Sequence, residues 1–217
     1  MTVILVQLLT TPGSLTLEIR DGRYVESGSG RAYSGYYTRC YPGTEIKEAE
    51  GRLRNGLMDD LWTFYFPNGN LKSEIEFVDG VKIKTLLSFY ENGEKESEFD
   101  EDSQVYTTWY ANGKLKSFIQ YLNGMKEGLS KEWYDDGQLK SEYEYFRHHE
   151  HGICKEYYRR GQVALVSVYR DGKKSGFWQA FYPDGKLKFE GRYSEDKKTG
   201  KWLETDSSGK MAAYHYF

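Results

Sequence analysis

Tyr65-Phe66-Pro67-Asn68-Gly69-Asn70-Leu71 recurs along the chain with substitutions. It returns as Trp109-Tyr110-Ala111-Asn112-Gly113-Lys114-Leu115 and as Phe181-Tyr182-Pro183-Asp184-Gly185-Lys186-Leu187. An aromatic pair leads to a small polar residue and a glycine, and an aliphatic residue follows two places on. The glycines are Gly69, Gly93, Gly113, Gly137, Gly161, Gly185 and Gly209, separated by 24, 20, 24, 24, 24 and 24 residues. A fixed period of this size marks an architecture of stacked repeats. Such stacks present extended surfaces, and extended surfaces usually bind.

The dipeptides at these points are turn formers. Asn-Gly and Asp-Gly favour type I′ turns, in which both central residues take positive φ, and that turn matches the twist of a β-hairpin. They stand at Asn68-Gly69, Asn92-Gly93, Asn112-Gly113, Asp136-Gly137 and Asp184-Gly185, and a second set falls between them at Asn55-Gly56, Asp79-Gly80, Asn123-Gly124 and Asp171-Gly172. Type I′ geometry is the expectation for both sets. The spacing leaves room for one strand of roughly seven to nine residues between turns. After each main glycine the even positions share one face: Leu71, Ser73, Ile75, Phe77; then Leu115, Ser117, Ile119, Tyr121; then Leu139, Ser141, Tyr143, Tyr145. The odd positions are mostly Lys, Glu, Gln or Asn, which is the period-two pattern of a half-buried strand. A further glycine column, Gly128, Gly152, Gly176 and Gly200, points to close backbone approach or to a conformation that a β-carbon would forbid.

The expected fold is therefore all-β: an elongated single-domain solenoid of stacked β-hairpins with a repeat of about 24 residues. Apolar residues make up 38% of the 217, below the globular average, so a thin stack suits the chain better than a two-layer core. Aromatics reach 17%, too many for a disordered segment. The net charge of -3 gives no general affinity for nucleic acid or anionic membrane. Cys40 and Cys154 fall in distant repeats, so no disulfide is expected, which suits a reducing, cytoplasmic setting. The start, Met1-Thr2-Val3-Ile4-Leu5-Val6-Gln7-Leu8-Leu9, reads as a strand rather than a signal peptide, and no stretch approaches the roughly 20 apolar residues of a membrane helix.

Gly176-Phe-Trp-Gln-Ala-Phe-Tyr-Pro-Asp-Gly-Lys-Leu-Lys-Phe-Glu-Gly191 resembles a MORN repeat, in the variant common in bacteria. The resemblance runs from about Gly35 to Phe217 in six to eight repeats. It implies a sheet of successive hairpins. Bacterial proteins built wholly from this variant are commonly described as antitoxin or immunity-like, and others with related repeats are scaffolds for protein complexes or were proposed to touch lipids. Residues 1–30 match weakly and read as an N-terminal cap with a hairpin at Thr11-Pro12-Gly13-Ser14; residues 31–217 carry the repeats. Tyr41-Pro42-Gly43 reads as a shortened turn. Thr205-Asp206 replaces the aromatic pair in the last repeat, as a terminal cap should. The chain stops at the end of a repeat strand, so no appended catalytic domain is expected.

Three constellations stand out. The 20-residue step between Gly93 and Gly113 carries Glu91, Glu94, Glu96, Glu98, Asp100, Glu101 and Asp102 against Lys95 alone. Clustered carboxylates raise encounter rates with cations and reject acidic surfaces, so a basic partner such as a nuclease-type toxin fits; a solvated loop left by a repeat deletion is the other reading. Trp109, Trp133 and Tyr157 recur at one repeat position, with Phe181. If open, they form a ladder of flat rings suited to a protein hot spot or to sugar stacking; if closed, they are core. His148-His149-Glu150-His151 with Cys154 offers metal-ligating side chains, but the spacing matches no standard zinc motif, and a polar turn is the expectation.

No nucleophile elbow, phosphate-cradling loop or paired-histidine motif is present in the sequence. The functional expectation is a non-catalytic protein-binding module, an antitoxin or immunity-like protein that occludes a cognate toxin, without cofactor or metal. The alternatives are a structural scaffold and a carbohydrate- or lipid-binding repeat protein.

Overall fold

A computed structural model describes residues 5–7 and 16–217. Every regular element among them is a β-strand, and none of the described residues lies in a helix long and apolar enough to cross a membrane. The hairpin expected at Thr11–Ser14 lies outside the described residues. The chain divides into two compact units, the first ending at Phe99 and the second beginning at Asp100. That division falls inside the short 20-residue step.

In the first unit, β1 (Leu5–Gln7), β2 (Thr16–Arg20) and β3 (Arg23–Glu26) form a small antiparallel sheet. A second sheet runs in chain order through β4 (Gly35–Cys40), β5 (Lys47–Arg54), β6 (Leu57–Tyr65), β7 (Leu71–Val78), β8 (Val81–Phe89) and β9 (Lys95–Asp100), whose last residue is the first of the second unit. The small sheet supplies Leu17 and Tyr24 to a core completed by Tyr37, Ala49, Leu53 and Trp62 of the second sheet. The second unit is also ordered as the chain runs: β10 (Val105–Trp109), β11 (Leu115–Leu122), β12 (Met125–Trp133), β13 (Leu139–Phe146), β14 (His149–Tyr157), β15 (Val163–Arg170), β16 (Lys173–Phe181), β17 (Leu187–Ser194), β18 (Lys197–Thr205) and β19 (Met211–Tyr216). Each strand pairs antiparallel with the next, as hairpin repeats require.

The two sets of turns differ, which corrects the expectation of one type. In the second set both central residues have positive φ, as at Asn55 (50°) and Gly56 (74°) or Asp171 (52°) and Gly172 (79°). These are type I′ turns. At the main glycines only the glycine has positive φ. At Gly69 the amide of Phe66 donates to Asn70 O at 2.8 Å and the amide of Gly69 to Phe66 O at 2.9 Å. This is a three-residue loop, a type I turn closed by a left-handed glycine. Pro67 and Pro183 fit it because the second position of a type I turn holds the φ that proline fixes. The polar residue before the glycine is also explained: Asn68 Oδ1 accepts from Asn70 N at 2.9 Å, and Asn112, Asp136 and Asp184 do the same. The turn at Tyr41 is longer than expected rather than shorter, because Tyr41 N reaches Ile46 O at 2.9 Å across four residues.

Gly128 marks a second device. Ile119 pairs with Ser130 and Tyr121 with Lys126, so β12 carries two extra residues at this bulge. Gly128 sits there with φ 84°, and Gln120 Oε1 accepts from the adjacent Leu129 amide at 2.6 Å. A β-carbon on Gly128 would stand 2.6 Å from that oxygen. Gly152, Gly176 and Gly200 repeat the positive φ.

The second residue of the aromatic pair ties each repeat to the next. Tyr110 Oη donates to Trp133 O at 2.8 Å, Tyr134 to Tyr157 O at 2.9 Å, Tyr158 to Phe181 O at 2.8 Å and Tyr182 to Thr205 O at 2.9 Å. Each acceptor carbonyl belongs to the last residue of a strand, just before a main turn. Tyr158→Phe is expected to cost about 1 kcal/mol, the usual loss when one partner of a part-buried hydrogen bond is removed. Urea unfolding of the two proteins measures it, and an unchanged midpoint would show that water serves the carbonyl equally well.

Candidate binding surfaces on the hairpin sheets

The acidic residues of the short step are divided between the two units. Glu94, Glu96 and Glu98 belong to the first. Glu94 follows the turn, Glu96 accepts from Ser88 Oγ at 3.0 Å, and Glu98 bridges Lys95 at 3.0 Å. Asp100, Glu101 and Asp102 open the second unit. Asp100 accepts from Ser103 Oγ at 2.7 Å and from the Asp102 amide at 3.0 Å, and these bonds hold its carboxyl below the usual range. The Glu101 carbonyl takes the Gln104 side chain at 2.8 Å. Glu94, Glu96, Asp100, Glu101 and Asp102 are exposed, while Glu98 is half-buried. Part of this acid is therefore turn chemistry: Asp100 organises the loop that replaces a type I′ turn.

Trp109, Trp133 and Tyr157 each end the strand before a main turn, and all three are half-buried. Tyr157 is anchored: its hydroxyl donates to Glu142 Oε2 at 2.9 Å, and burial together with that bond pushes its pKa up to about 12. The column is thus half covered by the sheet, neither fully closed nor fully open.

Of the histidine cluster only His148 sits in the turn, while His149, Glu150 and His151 open β14. Arg147 and His148 hold φ 49° and 70° where other repeats place Asn-Gly or Asp-Gly. His148 Nδ1 accepts from the Lys126 amide at 3.2 Å. His151 pairs with Glu144 and Cys154 with Ser167, so strand alternation puts Cys154 on the face opposite His149 and His151. Cys154 is 1% exposed, and burial pushes its thiol up to about 11. Replacing Arg147-His148 with Asn-Gly relieves the left-handed strain of a side chain at φ 70°, and a gain of about 1 kcal/mol is expected. Thermal unfolding checks it; a lower midpoint would mean that the His148 bond outweighs the strain.

Two further features of the second unit escaped sequence reasoning. The first is a cleft of about 530 Å³ on β12–β15, walled by Tyr134, Tyr143, Tyr145 and Tyr158 and carrying Glu132, Glu150 and Glu156 against Lys140. Tyr143 Oη donates to Glu156 Oε1 at 2.5 Å, and burial with this bond raises its pKa far above the phenol range. Glu132 bridges Lys140 at 2.9 Å. Tyrosine rings beside a surplus of carboxylates make a cation-receptive wall. The signal was present: Glu132, Glu156 and Glu204 recur at steps of 24 and 48 residues, on a background where strand positions vary.

The second is a ladder on the same face. Tyr169, Trp178, Tyr193, Trp202 and Phe217 follow one another with ring centroids 6.4, 5.4, 5.1 and 6.4 Å apart, all edge-on. Lys174 lies 4.6 Å from the Trp178 centroid and 5.2 Å from that of Tyr193; Lys198 lies 4.4 Å from Trp202 and 5.0 Å from Phe217. Four of the five rings thus have an ammonium group within 5.2 Å of the centroid.

Five segments match the MORN repeat variant: residues 61–79, 105–123, 126–146, 150–171 and 176–195. Each covers one hairpin closed by a three-residue main turn. One matched segment lies in the first unit and four in the second. A comparison with curated proteins finds no match.

Proposed function

We propose that this chain is a non-catalytic protein-binding module that neutralises a basic partner protein by covering its working surface, in the manner of an antitoxin or immunity protein. What supports the reading is the tyrosine-walled cleft of β12–β15. Aromatic side chains supply large, rigid contact area at low entropic cost, and tyrosine is among the residues that dominate protein interfaces. Glu132, Glu150 and Glu156 select against acidic surfaces and speed encounter with basic ones. Repeats of this kind hold the cleft on paired strands rather than on loops, so little ordering is needed on binding.

The reading is tested by co-expressing the chain with candidate toxins encoded beside it. Rescue of growth and a stable complex are expected. Glu150→Lys combined with Glu156→Lys should weaken the complex at least 100-fold, or about 2.7 kcal/mol, within the range of buried interfacial charges. A complex that forms as well with the double reversal removes the cleft from the interface. Failure of any rescue removes the neutralising role.

A further inference from the structure

Cations recur through the later strands of the second unit, on both faces of its sheet. Residues 155–198 contain 11 basic and 6 acidic side chains. Much of this excess is engaged. Arg159 bridges Asp135 and Asp136, Lys173 bridges Glu195 at 2.6 Å, Lys186 bridges Asp184 at 3.1 Å, and Lys174 and Lys198 sit on rings. Arg192 and Lys201 differ. Both are exposed, and among the described residues no carboxylate bridges either one. Lys201 only rides over Tyr214, 3.7 Å from its centroid.

These two cations flank a cleft of about 510 Å³ that also includes Phe177, Gln179, Glu190 and Thr199. Strand pairing fixes the face. Phe177 pairs with Arg192 and Arg192 with Thr199, while Trp178 pairs with Gly191 on the other side of the sheet. Gly200 adds no side chain to the cleft, and a β-carbon there would meet nothing within 4 Å. Glu190, the cleft's one carboxylate, is held by Gln179 Nε2 at 3.1 Å. Phe177 is 37% exposed, and the same face continues over Val168 to its cross-strand partner Ile153, 51% exposed. An apolar row across β14, β15 and β16 thus leads to a pair of cations without counter-ions.

We propose that this face docks an extended acidic segment of a partner protein. An apolar side chain of the segment enters beside Phe177, and carboxylates on either side meet Arg192 and Lys201. The planar Arg192 guanidinium suits a carboxylate fork. A peptide fits better than a polyanion, because it can step its charges around Glu190, whereas a continuous phosphate backbone would be repelled there. The inference concerns the other face from the tyrosine cleft and does not rest on the neutralising role.

The test uses the full chain and a fluorescently labelled, acetylated nine-residue peptide that alternates glutamate with phenylalanine. Saturable binding by anisotropy is expected, weakening at least tenfold when salt rises from about 50 to 300 mM, as exposed charges are screened. Arg192→Glu with Lys201→Glu should reduce affinity at least tenfold, and Phe177→Ser by a similar factor, with circular dichroism unchanged. A matched peptide with lysine for glutamate should not displace the acidic peptide. Glu150→Lys should leave peptide affinity unaltered, which separates this face from the cleft. Absence of saturable binding up to millimolar peptide, or binding indifferent to the double reversal, overturns the proposal. Tighter binding of duplex RNA or of phosphatidylserine vesicles, lost in the same variants, would also overturn it in favour of a polyanion surface.

Discussion

Trp62→Ala is expected to remove about 3–5 kcal/mol from the first unit, the range for deleting a fully buried aromatic side chain. Trp62 is 0% exposed. Its ring centroid lies 6.1 Å from that of Tyr37 and 6.3 Å from that of Phe64, and its Nε1 donates to Arg52 O at 2.9 Å. The indole lies on Gly51, where a β-carbon would stand 2.5 Å from it, so ring and glycine are a matched pair. The cavity left by alanine cannot collapse easily. It is bounded by Leu17 and Tyr24 of the small sheet and by Ala49 and Leu53 of the large one, and strand pairing fixes the backbone of both. Trp62→Phe should cost less, about 1–3 kcal/mol, from a smaller cavity and an Arg52 carbonyl left without its donor. Urea titration followed by circular dichroism reads both. A loss under about 1 kcal/mol for alanine would show that the small sheet does not close this core.

Alkaline pH is expected to unfold the protein between pH 10 and 12. An unperturbed tyrosine ionises near pH 10. The pKa of Tyr65 is pushed up to about 12 by its hydrogen bond to Glu50 and by burial, and that of Tyr157 and of Tyr169 to about 12, chiefly by burial. Tyr37 and Tyr143 are pushed higher still by burial. The sign follows from proton counting. Above pH 10 the unfolded chain releases phenolic protons that the folded chain retains, so the folded state binds more and stability falls as pH rises. The contribution is fully present below pH 10 and is lost as pH passes through 12. Several tyrosines act together, so the loss should be steep. Phenolate absorbance near 295 nm should rise in step with the loss of strand circular dichroism. Free titration of all tyrosines near pH 10 with the circular dichroism intact would refute it.

Much of the fold was legible because its signals are local. A glycine that must take positive φ, an Asn or Asp that caps a turn, and a period of two along a strand all act within a few residues. Their recurrence every 24 residues therefore gave the hairpins, their order and the strand lengths. The turn type is not local in this sense, because Asn-Gly serves two loops. The choice between a two-residue and a three-residue loop depends on which residues pair across it, and that is a property of the strands. The binding surfaces were less legible for a similar reason. Glu132, Glu156 and Tyr143 lie on neighbouring strands, and only cross-strand register makes them one wall. His151 and Cys154 look adjacent in sequence, yet alternation sends them to opposite faces.

By itself, then, the sequence of this chain determined an all-β array of hairpins, because turn and strand preferences are short-range and the period repeats them. Only the tertiary structure decided where the Lys174 and Lys198 ammoniums sit, which tyrosines border carboxylates, and that Arg192 and Lys201 flank an apolar row. Those depend on bulges and pairing offsets that shift side chains by one position, and a shift of one position in a strand moves a residue from one face to the other.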